Sequence, residues 1–286
     1  AGSVSVRRGL QTTGNGIFGL RLPVSGFGSC VMILLFDIGN THTHVGLANA
    51  RRVVRQTNIP TTAWFGGNAA APLVRFVGTA AVTGAALCSV VPRATPRVRR
   101  AVRTAWRLPC LELTVKTLRG LGVDYPQPDR IGPARLANAV AARRRFGAPV
   151  VVIDFGTAVT FDVVDRRGNY VGGIIAPGLA ALTDYLHERT ALLPRIRIRE
   201  CRRVIGRSTE EAMRSGAVYG YRGLIRELLV ELRRELSVPR LPVVATGGYA
   251  KLIAAKLPEI SAVEPNLTLE GLRLVWAAQP DDPRPE

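Results

Sequence analysis

Two stretches of this sequence end an apolar run in aspartate and follow it closely with a glycine and a threonine. The first reads Met32-Ile33-Leu34-Leu35-Phe36-Asp37-Ile38-Gly39-Asn40-Thr41-His42-Thr43-His44-Val45-Gly46. The second reads Val150-Val151-Val152-Ile153-Asp154-Phe155-Gly156-Thr157-Ala158-Val159-Thr160-Phe161-Asp162. Glycine lets the backbone tighten, so that successive N–H groups can point at phosphate oxygens, while Asn and Thr add side-chain donors. An aspartate at the strand end can reach a cation, directly or through water. One copy alone reads as an ordinary hairpin. Two copies with aspartate in the same place describe a clamp that grips a polyphosphate from both sides. A third signal, Thr246-Gly247-Gly248, follows the short strand pattern Leu241–Ala245 and permits close approach of a flat ring or sugar.

Each turn needs two strands to hold it: one runs into the aspartate and the other returns after the turn, as at Gly39–Thr41. Apolar spacing predicts helices over Ala134–Arg145, Gly216–Leu236 and, more briefly, Ala250–Lys256. Strands alternating with helices place the chain in the α/β class. At 286 residues it can bury two ordinary cores. The repeated turns open two halves, which gives lobes at 32–148 and 149–286. Residues 1–31 are rich in Gly, Ser and Val and contain no acid, and Gly, Pro and Arg interrupt their apolar residues. They read as a disordered extension or an upstream-start artefact before Met32, and are set aside from the fold.

The formal net charge of +18 comes almost wholly from arginine, spread along the chain with runs at Arg97–Arg103, Arg143–Arg145 and Arg195–Arg203. No helix-turn-helix, zinc spacing or aromatic RNA-binding pattern accompanies them. They describe a solvated surface that attracts anionic substrates, and no nucleic-acid partner is expected. The longest apolar stretches are strand-length, so no membrane partner is expected either. Cys30, Cys88, Cys110 and Cys201 form no CxxC pair and read as buried, reduced thiols of a cytoplasmic protein. His42 and His44 put both rings on one side of a strand. With no further ligand nearby, they read as a strand face rather than a zinc site.

Taken together in order, Asp37–Gly46, Ser89-Val90-Val91-Pro92, Tyr125–Ala139, Asp154–Asp162, Gly172–Gly178, Gly206–Gly216, Thr246–Gly248 and Leu267–Leu272 resemble the type III pantothenate kinase family, from about Met32 to Trp276. The resemblance implies duplicated ribonuclease-H-like domains of the actin-like ATPase type, with the nucleotide in the cleft between them, and a homodimer. It implies ATP-dependent phosphorylation of pantothenate to 4'-phosphopantothenate, the first step toward coenzyme A. Mg2+ or another divalent metal would accompany ATP, and K+ or NH4+ would be the monovalent cation. Carried over by position, Asp37, Ile38, Gly39, Asn40, Thr41, His42, Thr43 and His44 form the first ATP-phosphate loop, and Thr157 touches ATP in the second. Asp154 holds the monovalent cation, and Asp37 reaches the divalent metal through water. Tyr125, Gly132, Pro133, Ala134, Arg135 and Thr209 line the pantothenate site, with Thr209 supplied by the partner subunit. Arg135 can fork onto a carboxylate, which pantothenate carries.

One position departs from the family. Its signature Gly-x-Asp-Arg, whose aspartate takes the proton of the attacking hydroxyl, reads here Gly132-Pro133-Ala134-Arg135. Alanine cannot accept a proton. Asp129-Arg130-Ile131 offers a second register, but it sacrifices the matches at Gly132, Arg135 and Asn138. This leaves Asp129 a weak substitute, solvent-facing before the helix that Pro133 starts. The expectation is a kinase with weakened catalysis, the alternative being a non-catalytic nucleotide-binding regulator of the transcriptional accessory type.

Overall fold

The computed structural model describes residues 31–280. Residues 1–30, with Cys30, and 281–286 lie outside the described residues. The first strand, β1 (Val31–Ile38), is buried on both faces from Ile33 to Phe36, which accounts for its unbroken apolar run. It turns back as β2 (His42–Ala48), pairing Asp37 with His44, and β3 (Val53–Pro60) continues the antiparallel ladder. After α1 (Ala70–Val77), β4 (Ala81–Ser89) joins β1 in parallel, and after α2 (Thr95–Trp106), β5 (Cys110–Glu112) joins β4 in parallel. The sheet order is β3-β2-β1-β4-β5.

The second sheet repeats that plan. β7 (Val150–Phe155), β8 (Ala158–Val164) and β9 (Asn169–Pro177) are successively antiparallel. β10 (Val243–Thr246) then joins β7 in parallel, and β11 (Ala262–Val263) joins β10. β7 to β11 therefore reproduce β1 to β5 strand for strand. A two-residue strand from the first half, β6 (Gly122–Val123), adds itself to the β9 edge. The duplication seen in two short turns thus extends to both sheets.

Two helices form the layer between the sheets: α3 (Pro133–Phe146) and α8 (Leu267–Ala277). Ala137, Leu136 and Leu272 share one core with Ile33 and Leu35 of the first sheet and Val150, Val152 and Tyr170 of the second. At their crossing, a side chain in place of Gly271 would collide with the backbone of Ala137, so the helices touch backbone to backbone. The outer faces of the sheets carry separate cores. The second is covered by α6 (Tyr221–Glu235) and α7 (Ala250–Ala254), after α4 (Leu179–Arg189) and α5 (Thr209–Ser215). The sequence predicts one helix over 216–236, but the structure puts a π-helical turn at Gly216–Gly220 before α6. A glycine at each end lets the backbone widen there.

Candidate active site

The two Asp-Gly-Thr turns come from equivalent strand ends, β1 and β7. In the first, the Gly39 N–H donates to the His42 carbonyl at 3.0 Å, closing the turn. The Thr61 hydroxyl donates to the Gly39 carbonyl at 2.7 Å and lies 3.2 Å from the Thr43 hydroxyl. Trp64 Nε1 donates to Thr43 at 3.0 Å. Thr43 is buried, so its hydroxyl braces the turn from behind, while Asn40, Thr41, His42 and His44 are exposed in front and Ile38 is buried beneath. In the second turn, the Gly156 N–H donates to Ala158 at 3.1 Å and the Gly178 N–H to Thr157 at 3.2 Å, leaving the Thr157 side chain exposed. Gly247 lies against this turn with φ +90°, and a Cβ there would sit 2.5 Å from Asp154 Oδ1. Only glycine permits both that dihedral and that approach.

Asp37 and Asp154 are the electrostatic centre. Burial pushes the Asp37 carboxyl up to about 6, opposed by the Cys88 thiol, which donates to Oδ1 at 3.4 Å. Burial pushes Asp154 up to about 6 as well, and the charge on Asp37 adds to it. Asn138 on α3 counters by donating to Asp154 Oδ2 at 3.2 Å, and is itself fixed by the Thr268 hydroxyl on α8 at 2.8 Å. Desolvation by its neighbours pulls His44 below its usual range, partly offset by the charge on Asp154. Two carboxylates that resist simultaneous ionisation fit a cation, which would hold both charged. Magnesium commonly takes one or two protein carboxylates and completes its shell from water and phosphate oxygens. Among the described residues no cluster of three or more His, Cys, Asp or Glu is placed to hold a metal by itself.

The second group of site residues lies around the start of α3. Gly132 precedes the helix, Pro133 fills its first position, and Ala134 is half-buried. Arg135 donates from Nε to Asp162 Oδ1 at 2.6 Å and from Nη2 to the Phe161 carbonyl at 3.1 Å. Its guanidinium lies 5.7 Å from the Tyr170 ring centre, and Tyr125 meets Tyr170 edge-on. Asp129 lies exposed in the single 3-10 turn Pro128–Arg130. Thr209 is exposed at the first position of α5. Cys88 and Cys110 are buried, but Cys201 is partly exposed, because it lies in an irregular segment rather than a strand.

Four residues join the site with roles their sequence positions do not announce: Asp162, Tyr170, and Asn138 with its support Thr268. A signal for the first was present, since an aspartate inside the apolar run Val159–Val164 must find a partner when both neighbours are buried.

The sequence model of the type III pantothenate kinase family matches residues 33–231. A type III pantothenate kinase of Akkermansia muciniphila is 47% identical over 242 residues, covering 84% of this chain and 96% of the relative. One from Methylacidiphilum infernorum is 41% identical, covering 85% and 87%. Among solved structures, a Sinorhizobium meliloti protein assigned as a 2-dehydro-3-deoxygalactonokinase has a TM-score of 0.55 at 14% identity, covering 89% and 98%. A Campylobacter jejuni protein assigned to the Baf family of transcriptional activators also has 0.55, at 17% identity, covering 85% and 96%. These likenesses agree with the duplicated actin-like ATPase fold traced by the two sheets. With paired Asp-Gly-Thr turns, a matching family model and relatives above 40% identity along most of its length, the chain belongs to the type III pantothenate kinase family.

Proposed function

We propose that this kinase transfers the γ-phosphoryl group of ATP to pantothenate, giving 4'-phosphopantothenate on the route to coenzyme A, and that its turnover is slowed by the alanine at position 134. The observation that carries the reading is the shared placement on α3. The same helix supplies Asn138 to Asp154 of the phosphate-side turn and Arg135 to the anion-recognition side. The lobes 32–148 and 149–286 serve as the two jaws, with β6 and α8 crossing between them.

The backbone N–H groups of the two turns, with the Asn40, Thr41 and Thr157 side chains, would cradle the phosphates. Asp37 would reach a divalent metal through water, and Asp154 would hold K+ or NH4+. A bound divalent cation would supply charge neutralisation on the phosphates. Arg135 would bind the pantothenate carboxylate and Tyr125 would cover the substrate. With no side chain at position 134 to take the proton, catalysis rests on positioning and charge, which carry much of phosphoryl transfer. The working unit would be a homodimer in which the partner subunit's Thr209 completes the site. Support comes from apolar side chains left open on this half, with Ile175 65%, Leu192 89% and Ile205 81% exposed. Cytoplasmic location is part of the same reading. Among the described residues, no helix is long and apolar enough to cross a membrane.

The test is release of ADP from ATP, with magnesium and potassium or ammonium, on addition of pantothenate and not of a sugar or acetate. Stimulation by pantothenate supports the reading, and stimulation only by another acceptor overturns it. Ala134 also favours a second reading, a nucleotide-binding regulator. That reading predicts ATP binding without pantothenate-dependent turnover, and nucleic-acid binding that weakens steeply with salt.

A further inference from the structure

Asp162 is fully buried in β8, its Oδ2 has no hydrogen-bond partner, and it lies directly against Arg135. A threonine or valine would fill that strand position without burying a carboxylate. An ionised carboxylate taken out of water is costly unless its partners repay it. Here the repayment is geometric. Oδ1 accepts from Arg135 Nε at 2.6 Å and from the Tyr170 hydroxyl at 3.2 Å. The Phe161 carbonyl takes one Nη2 proton, and Nη1 has no intramolecular partner among the described residues. A Cβ on Gly173 would collide with the Phe161 backbone carbonyl and would also come 2.7 Å from Arg135 Nη2, so glycine there leaves room for both. The guanidinium is thus pinned on its inner edge, with its outer donors free.

We propose that Asp162 is a positioning residue, fixing Arg135 so that its outer edge meets the substrate carboxylate, and that the charge on Asp162 sets how strongly Arg135 attracts that anion. This rests on Arg135 being the carboxylate-binding group of the proposed function. When Asp162 is ionised, the arginine's charge is shared between two carboxylates. When Asp162 is protonated, all of it is offered to the substrate. Burial pushes the Asp162 carboxyl up to about 7, against the pull of Arg135 on α3, with Asp154 on β7 raising it further and the Tyr170 hydroxyl on β9 lowering it. Both charge states are therefore accessible near neutrality. By reciprocity, a bound anion favours the protonated form as much as protonation favours the anion.

The experiment is calorimetric titration of pantothenate into the full chain with magnesium and a non-hydrolysable ATP analogue, at about pH 6 and about pH 8.5. Binding is read directly, without the proton transfer that turnover requires. Wild type should weaken on the order of tenfold over that range, the scale expected of a charge one guanidinium away. Asp162→Asn, which keeps an acceptor for Nε, should lose the slope and bind more tightly than wild type at the alkaline end. Tyr170→Phe removes a bond that holds Asp162 ionised, so its pH midpoint should move upward. The alcohol analogue of pantothenate, which lacks the carboxylate, should bind without pH dependence in all three proteins. If pantothenate binds and Asp162→Asn keeps the wild-type slope, or the alcohol shows that slope, this inference is wrong while the proposed substrate stands. If Asp162→Asn does not fold, a Tyr170→Phe midpoint that stays in place refutes it equally. If pantothenate does not bind wild type at either pH, the inference and the substrate assignment fall together.

Discussion

Asp154→Asn should make the ligand-free protein more stable at neutral and alkaline pH while removing its response to ATP. The Asp154 carboxyl is raised from 3.8 to about 6, chiefly by burial and next by the charge on Asp37. The folded state therefore binds this proton more tightly than the unfolded chain does. Stability from the group is fully present below about pH 4 and is lost as pH rises toward 6. Roughly two pH units correspond to a ceiling of about 3 kcal/mol. Because part of the shift belongs to its neighbour Asp37, about 1–2 kcal/mol is expected. Asparagine keeps an oxygen for the Asn138 amide, so the Thr268–Asn138 support survives. Urea denaturation in chelated, potassium-free buffer at about pH 8 should show the gain, and at about pH 4 almost none. ATP with magnesium should then raise the melting temperature of wild type and not of the variant. A variant less stable than wild type at pH 8, or a gain equal at both pH values, would show that burial of a charged Asp154 does not cost the fold stability.

Two further substitutions probe the turns. Gly247→Ala forces a side chain into a φ of +90° beside Asp154, so stability should fall by about 1–3 kcal/mol in a thermal melt. ATP titration should also show at least tenfold weaker binding, and retention of wild-type affinity would mean that Gly247 does not shape the nucleotide side. Thr61→Val removes the hydroxyl that holds the Gly39 carbonyl and faces Thr43, costing about 1–2 kcal/mol. Its effect should fall on the KM for ATP and leave the KM for pantothenate in place.

What the sequence made legible was local chemistry. The strand ends at Asp37 and Asp154 could be read because apolar run, acid, glycine and threonine follow one another within a few residues. The start of α3 could be read because Pro133 sits at its first turn. What stayed hidden depends on partners distant in the chain. Arg135 meets Asp162 across 27 positions, and Asn138 meets Thr268 across 130, so no spacing rule connects them. The two-residue strand Gly122–Val123 has no period to detect, and its attachment to β9 exists only once both sheets are formed. The π-helical turn at Gly216–Gly220 has the same apolar spacing as an α-helix on either side and differs only in its glycines. The fold leaves position 134 as the sequence has it: Ala134 is half-buried, and its methyl group cannot take a proton.

The most direct test is the rate of ATP-dependent pantothenate phosphorylation by this chain beside its Ala134→Asp variant, with magnesium and potassium or ammonium present. A positioned general base contributes typically about 10²–10⁴-fold, so the parent should be slow and the variant faster by that order, with little change in the KM for ATP. A parent already fast, and no faster with aspartate at 134, would show that another group accepts the proton and that Ala134 does not slow the enzyme.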